Sequence, residues 1–271
     1  MTSRRDEILR EMGLTPVWHL RTAASQAEPE AQPSAVAPVV ASAPRPVKAV
    51  APPAPANVAP VLPLDARAAG IAQMEWPQLK ENVAGCTACP LHKGRNKSVF
   101  GVGDENADWL FIGEGPGADE DAKGEPFVGQ AGKLLDNMLT AISLKRGQNV
   151  YIANVVKCRP PGNRNPEPLE AGQCEPYLHR QIGLIKPKLI VALGKVAAVN
   201  LLRRESSVAS MRGKVFEYQG IPLIITYHPA YLLRSLPDKA KAWEDLCFAV
   251  ETMQRLQGAT QDLQSGKTAP I

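Results

Sequence analysis

The sequence predicts an α/β domain, with three α/β/α layers around a central four-stranded, mainly parallel sheet, behind a disordered N-terminal extension. Three observations predict it. Four short apolar runs recur, each followed by a loop of turn-forming residues. Stretches with helical spacing of apolar residues separate them, and the alternation starts only after a long Ala/Pro-rich segment. Strands that alternate with helices argue a parallel sheet covered on both faces.

Along the chain of 271 residues, Ile8, Leu9 and Met12 come first, on one face of a short helix that Gly13 would stop. Residues 24–63 hold ten of the 25 prolines and almost no charge, and read as a semi-extended linker without a core. The expected division is a short helix and candidate docking peptide over 1–22, a disordered linker over 23–71, the folded domain over 72–257, and a disordered tail over 258–271. Within the domain the apolar runs are 109–112, 150–156, 189–193 and 222–227. Helical patterns lie near 129–144, 167–186, 195–203 and 238–256. Ligands of such sheets bind at the carboxyl ends of the strands. That rule gathers Glu114, Asn154, Cys158 and His228 on one rim.

Composition bounds the function. No stretch of about 18 apolar residues occurs, which speaks against a membrane span. The opening Met-Thr-Ser-Arg-Arg-Asp-Glu lacks an apolar core for a secretory signal. The fifth cysteine, Cys247, sits in a helical pattern and reads as an ordinary buried thiol. An odd thiol and no export signal favour the cytoplasm. The net charge of +4 permits a polyanionic partner without demanding one.

Cys86-Thr-Ala-Cys89 is followed much later by Cys158 and Cys174. A Cys-x-x-Cys pair alone serves redox, zinc and disulfide sites alike. Four thiolates suit an iron–sulfur cluster or zinc. The loop Gly113-Glu-Gly-Pro-Gly117 is neither a phosphate loop nor a dinucleotide fingerprint. Its glycines let backbone amides approach a ligand closely, and Glu114 and Glu120 supply carboxylates. Phe127, between turn residues, either stacks on a flat ligand or plugs the core. Asn154 interrupts an apolar strand, and its amide offers the donor and acceptor that reading a base edge requires. Bonding to local backbone is its plainer role. His228, before Pro229, could donate to a developing anion. Arg159, Arg164, Lys195, Arg212, Lys214 and Arg234 are singly surface charge, and together suggest a polyanion groove.

Six segments appear in an order that closely resembles the family 4, iron–sulfur uracil-DNA glycosylases. They are Cys86-Thr-Ala-Cys89-Pro-Leu, Gly113-Glu-Gly-Pro-Gly117, Gly124-Glu-Pro-Phe-Val-Gly-Gln-Ala-Gly132, Asn154-Val-Val-Lys-Cys-Arg-Pro-Pro161, Asn163-Arg-Asn-Pro166 and His228-Pro-Ala-Tyr-Leu-Leu233. The resemblance spans about residues 75–256. It implies a 4Fe–4S cluster on Cys86, Cys89, Cys158 and Cys174, in a structural role. It implies a monofunctional repair enzyme that flips uracil from DNA and hydrolyses the N-glycosidic bond, leaving an abasic site. Glu114, Gly115, Phe127, Asn154 and His228 would then bind uracil: Phe127 stacking, Asn154 reading the edge, His228 donating towards O2. Leu232 would wedge into the duplex. The better-known family 1 enzymes carry an aspartate where this chain has Gly115. The water-activating group is therefore sought among Glu114, Glu120 and Asn163.

The implied partners are uracil-containing single- and double-stranded DNA, and a repair or replication protein at the N-terminal helix. No membrane partner is expected, and a monomer is. The alternative is a non-enzymatic iron–sulfur protein or a zinc-stabilised DNA-binding protein.

Overall fold

The structure, a computed structural model, describes residues 64–264. The expected helix over 1–22, the linker up to 63 and residues 265–271 lie outside the described residues. Two helices come first, Leu64–Ala72 (α1) and Trp76–Ala84 (α2). The expected domain start at 72 thus falls inside a helix, with Ile71 fully buried. The sequence hid α1 because Leu-Asp-Ala-Arg-Ala-Ala-Gly-Ile-Ala offers few large apolar residues from which to read a period.

The sheet has six strands rather than the expected four. They are Val102–Gly103 (β1), Trp109–Gly113 (β2), Val150–Asn154 (β3), Leu189–Leu193 (β4), Phe216–Tyr218 (β5) and Ile221–Thr226 (β6). Their order is β1-β3-β2-β4-β6-β5. The four central strands are the expected apolar runs, and all pair in parallel. The two extra strands are antiparallel edges. At two and three residues they are too short to show alternation, which is why sequence pattern missed them.

Covered on both faces, the central strands are apolar up to Asn154 and Thr226 at the carboxyl ends of β3 and β6, as parallel sheets require. Their alternation sorts the core into two layers. Leu110, Ile112, Ala153, Ile190 and Ile225 face one way, with Leu79 of α2, Tyr177 and Ile182 of Pro168–Ile185 (α3), and Ala197 of Lys195–Leu202 (α4). Phe111, Ile152, Val191 and Ile224 face the other way, with Leu135 and Leu139 of Gln130–Ala141 (α5), and with Ala249 and Met253 of Asp238–Gln264 (α6). Each fully buried large side chain of this kind contributes on the order of 1.5–3 kcal/mol. Helix α6 runs past residue 257, so the expected tail begins inside it.

Strand β2 has β3 on one side and β4 on the other. The chain therefore switches direction around β2, and the crevice opens at the carboxyl ends of these strands. Gly113 and Asn154 pair there, each the last residue of its strand.

Candidate active site

The crevice holds a cavity of about 430 Å³ lined by Glu114, Gly115, Phe127, Asn154, Asn163 and His228, among others. Its floor depends on Gly113. A Cβ there would lie 2.5 Å from Asn154 Oδ1 and 2.5 Å from Phe127 Cζ, so only glycine lets the amide and the ring converge. Phe127 is held with a positive φ of 55°. Arg146 fixes that turn by donating to the carbonyls of Pro126 and Phe127 at 2.9 and 2.8 Å, while its Nε bonds Asp136. The Phe127 and His228 rings lie 5.5 Å apart, tilted by 31°.

Asn154 is 1% exposed, and its Oδ1 has no hydrogen-bond partner among the described residues. Leaving a buried acceptor unsatisfied costs about 1–3 kcal/mol. The expected alternative, an amide spent on local backbone, does not describe this oxygen. His228 Nδ1 accepts from the Ala230 N–H at 3.1 Å. That bond leaves the proton of the neutral ring on Nε2. Burial, reinforced by the nearby Arg234 charge, pushes the imidazole from its ordinary 6.5 down to about 4. The ring is therefore a neutral donor at physiological pH.

The three candidates for water activation differ sharply. Glu120 is spent: Oε2 accepts from the Gly117 N–H, and Oε1 accepts from the N–H groups of Val128 and Gly129. It braces the two loops that frame the cavity. Asn163 accepts from Arg159 Nε at 2.7 Å. Glu114 also lines the cavity, and burial raises its carboxyl above the usual range.

The basic residues do not form one set. Arg234 and Arg164 line the cavity. Arg164, however, grips the buried Glu170 through two bonds of 2.7 and 2.8 Å, which clamps its loop to α3. Arg212 is committed to Glu244, Asp245 and the Lys241 carbonyl. Lys195 pairs with Glu205, and Lys214 bonds the Ser210 carbonyl; neither lines the cavity. Leu232 corrects the expectation of a wedge. It is 1% exposed and packs with Met138, Ala242 and Leu246. Its neighbours, Tyr231 in the short helix Pro229–Leu232 (α7) and Leu233 at that helix's C-cap, are exposed instead. Tyr231 stacks on Tyr227 and lines the cavity. Sequence reading overlooked Tyr231 and Arg146, although Tyr231 stands inside a quoted motif.

Beside this crevice, Cys86, Cys89, Cys158 and Cys174 line one small cavity. All are free thiols, as is Cys247, which is half-buried. Arg67 donates to Cys86 Sγ at 3.6 Å, Arg95 to Cys158 Sγ at 3.2 Å, and the Lys157 N–H to Cys174 Sγ at 3.2 Å. Two guanidinium groups and an amide aimed at sulfur suit a thiolate set. Among the described residues, no three His, Cys, Asp or Glu side chains gather closely enough to hold one metal ion. Nor is any helix among them long and apolar enough to cross a membrane.

The crevice of this doubly covered, mainly parallel sheet thus gathers an aromatic ring, a buried unpartnered amide oxygen and a neutral imidazole donor at the carboxyl ends of its strands. The chain belongs to the uracil DNA glycosylase superfamily, whose family model matches residues 100–247. A protein of Archaeoglobus fulgidus described as a type-4 uracil-DNA glycosylase is 48% identical over 159 residues, covering 56% of this chain and 79% of the relative. One of the same description from Pyrobaculum aerophilum is 43% identical over 185 residues, covering 65% and 93%. A third, from Thermotoga maritima, is 45% identical over 159 residues, covering 58% and 82%.

Proposed function

We propose that this chain is a uracil-DNA glycosylase of the type-4 kind, acting in base excision repair. It flips uracil out of single- or double-stranded DNA and hydrolyses the N-glycosidic bond, releasing free uracil and leaving an abasic site. The observation that carries the site assignment is the unpartnered Oδ1 of Asn154, buried in the same cavity as Phe127 and His228.

Uracil stacks on Phe127. Asn154 Oδ1 accepts from N3–H, and its Nδ2 donates to O4. Cytosine inverts both polarities, with an amino group at C4 and a bare N3, so it leaves the buried amide oxygen unpaired. As the C1′–N1 bond breaks, the electron pair passes into the base and charge collects on O2. The Nε2–H of His228 donates there. A neutral imidazole suits this role, because its donor is in place across physiological pH. Glu114 is the group that takes the proton of the attacking water: its carboxylate lines the cavity, whereas Glu120 is occupied by three backbone amides. The oxocarbenium-like sugar makes only a weak demand on that base.

Cys86, Cys89, Cys158 and Cys174 hold a 4Fe–4S cluster, which supplies a structural cross-link rather than chemistry on the substrate. The sulfur-directed donors of Arg67 and Arg95 support this reading. Arg234 and Arg159 approach the DNA backbone, and Tyr231 or Leu233 takes the wedge position that Leu232 cannot. The enzyme acts as a monomer, and residues 1–22 supply the docking peptide for a repair or replication protein. Free thiols destined for a cluster also favour the cytoplasm.

Incubation with uracil-containing oligonucleotides followed by alkaline cleavage tests the reading. Strand scission at uracil alone is expected; intact strands would overturn it.

A further inference from the structure

Lys157 is the only buried lysine or arginine among the described residues. It does not line the cavity that holds Asn154 and His228, and lines the cysteine cavity instead. Burying an ammonium group costs several kcal/mol unless it is well partnered. Its Nζ donates to the backbone carbonyl of Asn154 at 2.9 Å and to Gln181 Oε1 at 2.6 Å. Gln181, on α3, is itself held by donating to the Phe100 carbonyl at 3.0 Å. The Lys157 backbone N–H donates to Cys174 Sγ, and its carbonyl accepts from Val99 at 2.7 Å.

Asn154 is where β3 ends. The next two amides, of Val155 and Val156, still bond to Gly113 and Glu114 of the neighbouring loop. The Asn154 carbonyl turns instead to the lysine. Fixing that carbonyl fixes the peptide plane, and with it the direction in which the Asn154 side chain leaves the backbone. Residues 154–158 thus form one short lever. The amide that faces the cavity stands at one end, Cys158 stands at the other, and the ammonium braces the middle against α3.

We propose that Lys157 is a positioning residue for base recognition: by bonding the Asn154 carbonyl and Gln181 together, it aims the Asn154 amide and couples it to the cysteine loop. The proposal rests on the reading of Asn154 as the group that meets uracil. It makes the contribution of the cysteine site to catalysis a matter of aim, transmitted through three residues of backbone. A misplacement of about 1 Å in a reacting or recognition group costs up to ~10²-fold in rate.

The test is a double-mutant cycle in the full chain. Lys157→Met keeps most of the side chain's length and removes its donors. Single-turnover rates on uracil and cytosine DNA are measured for the wild type, Lys157→Met, Asn154→Ala and the double variant, together with iron per chain. Lys157→Met is expected to lose about 10- to 100-fold in uracil excision and to narrow the uracil-over-cytosine ratio, at unchanged iron content. In the Asn154→Ala background the same change is expected to do almost nothing further. Should Lys157→Met give no soluble protein, Gln181→Leu runs through the same cycle, with the lysine left in place and one acceptor removed. Equal losses in both backgrounds, or a full rate for the variant, would overturn the proposal. A full uracil rate for Asn154→Ala would instead overturn the reading of Asn154, which the cycle reports separately.

Discussion

The Ala230 N–H donates to Nδ1 of His228 at 3.1 Å, so a backbone amide two residues away selects the tautomer of the ring. With Nδ1 occupied, the ring proton sits on Nε2. The bond comes from the turn that opens α7, where Pro229 fixes the backbone. His228→Ala removes that donor. Uracil excision is expected to fall by roughly 10²–10³, the loss typical of one preorganised donor, with DNA binding nearly unchanged. Single-turnover kinetics and a binding titration check it. Parallel losses in both would argue that the ring positions DNA.

The same burial gives His228 a pH signature in stability. Its folded value of about 4 lies below the unfolded 6.5. Between those values the unfolded chain binds a proton that the folded chain does not, so stability falls as pH falls through this window. From pH 7 to 5 the ring's share of that loss is about 2 kcal/mol. Urea unfolding of the wild type and of His228→Gln at both pH values measures it. An identical pH dependence in the two proteins would contradict the burial of a neutral ring.

Gly113 sets the spacing of Asn154 and Phe127. Gly113→Ala would bring a Cβ to 2.5 Å from both Asn154 Oδ1 and Phe127 Cζ, closer than real Cβ contacts come. Uracil excision is expected to drop by at least ~10²-fold, since both groups must move from their aim. Gly183→Ala, in α3 with open space around it, serves as the control. It should keep full activity and gain roughly 0.5–1 kcal/mol from helix propensity. Normal activity in Gly113→Ala would show that the floor of the cavity is soft.

The two substitutions also show what was legible in the sequence. The four central strands announce themselves because a parallel strand covered on both faces must be apolar throughout. The rim followed from that, since each unusual loop comes after a strand. Partner bonds were not legible. Glu120 and Glu114 look alike as letters, yet one carboxylate is consumed by three backbone amides. Leu232 and Leu233 are adjacent leucines in one motif, and only the turn of α7 decides which is buried. Arg146 and Lys157 were invisible for the same reason: each acts on backbone carbonyls distant from its own place in the pattern or hidden by the fold.

Asn154→Asp tests the edge-reading role proposed for the Asn154 amide. An ionised carboxylate can still accept from N3–H but has no donor for O4, while it can accept from the amino group of cytosine. Uracil excision should fall and the cytosine-to-uracil ratio should rise. Rates on the two substrates decide it, and an unchanged uracil rate would remove Asn154 from the cavity's chemistry.

The cysteine site predicts a pattern across five substitutions. Replacing Cys86, Cys89, Cys158 or Cys174 by Ala should each give protein with little iron and poor solubility. Cys247→Ala, away from that cavity, should stay brown. Iron per chain and visible absorbance are the measurements. Full iron loading after loss of Cys158 or Cys174 would sink the four-thiolate assignment.

Truncation at the N-terminus separates the two possible domain starts. Helix α1 is tied to the domain at several points: Arg67 donates to the Gln173 carbonyl at 2.8 Å, approaches Cys86 Sγ, and lies 4.8 Å over the Tyr177 ring. Deleting 1–63 leaves all of these in place, whereas deleting 1–71 removes Arg67 and buried Ile71. The shorter deletion is expected to keep full excision on short oligonucleotides and full iron. The longer one loses a buried aliphatic side chain, worth about 2–5 kcal/mol in such cores, and a cation beside the Cys86 sulfur. It should unfold at lower temperature and hold iron less tightly against a chelator. Thermal melts and iron release over time distinguish the two proteins. Equal behaviour would mean that the domain starts at residue 72 after all, and a large loss of activity from the shorter deletion would mean that residues before 64 belong to the catalytic domain.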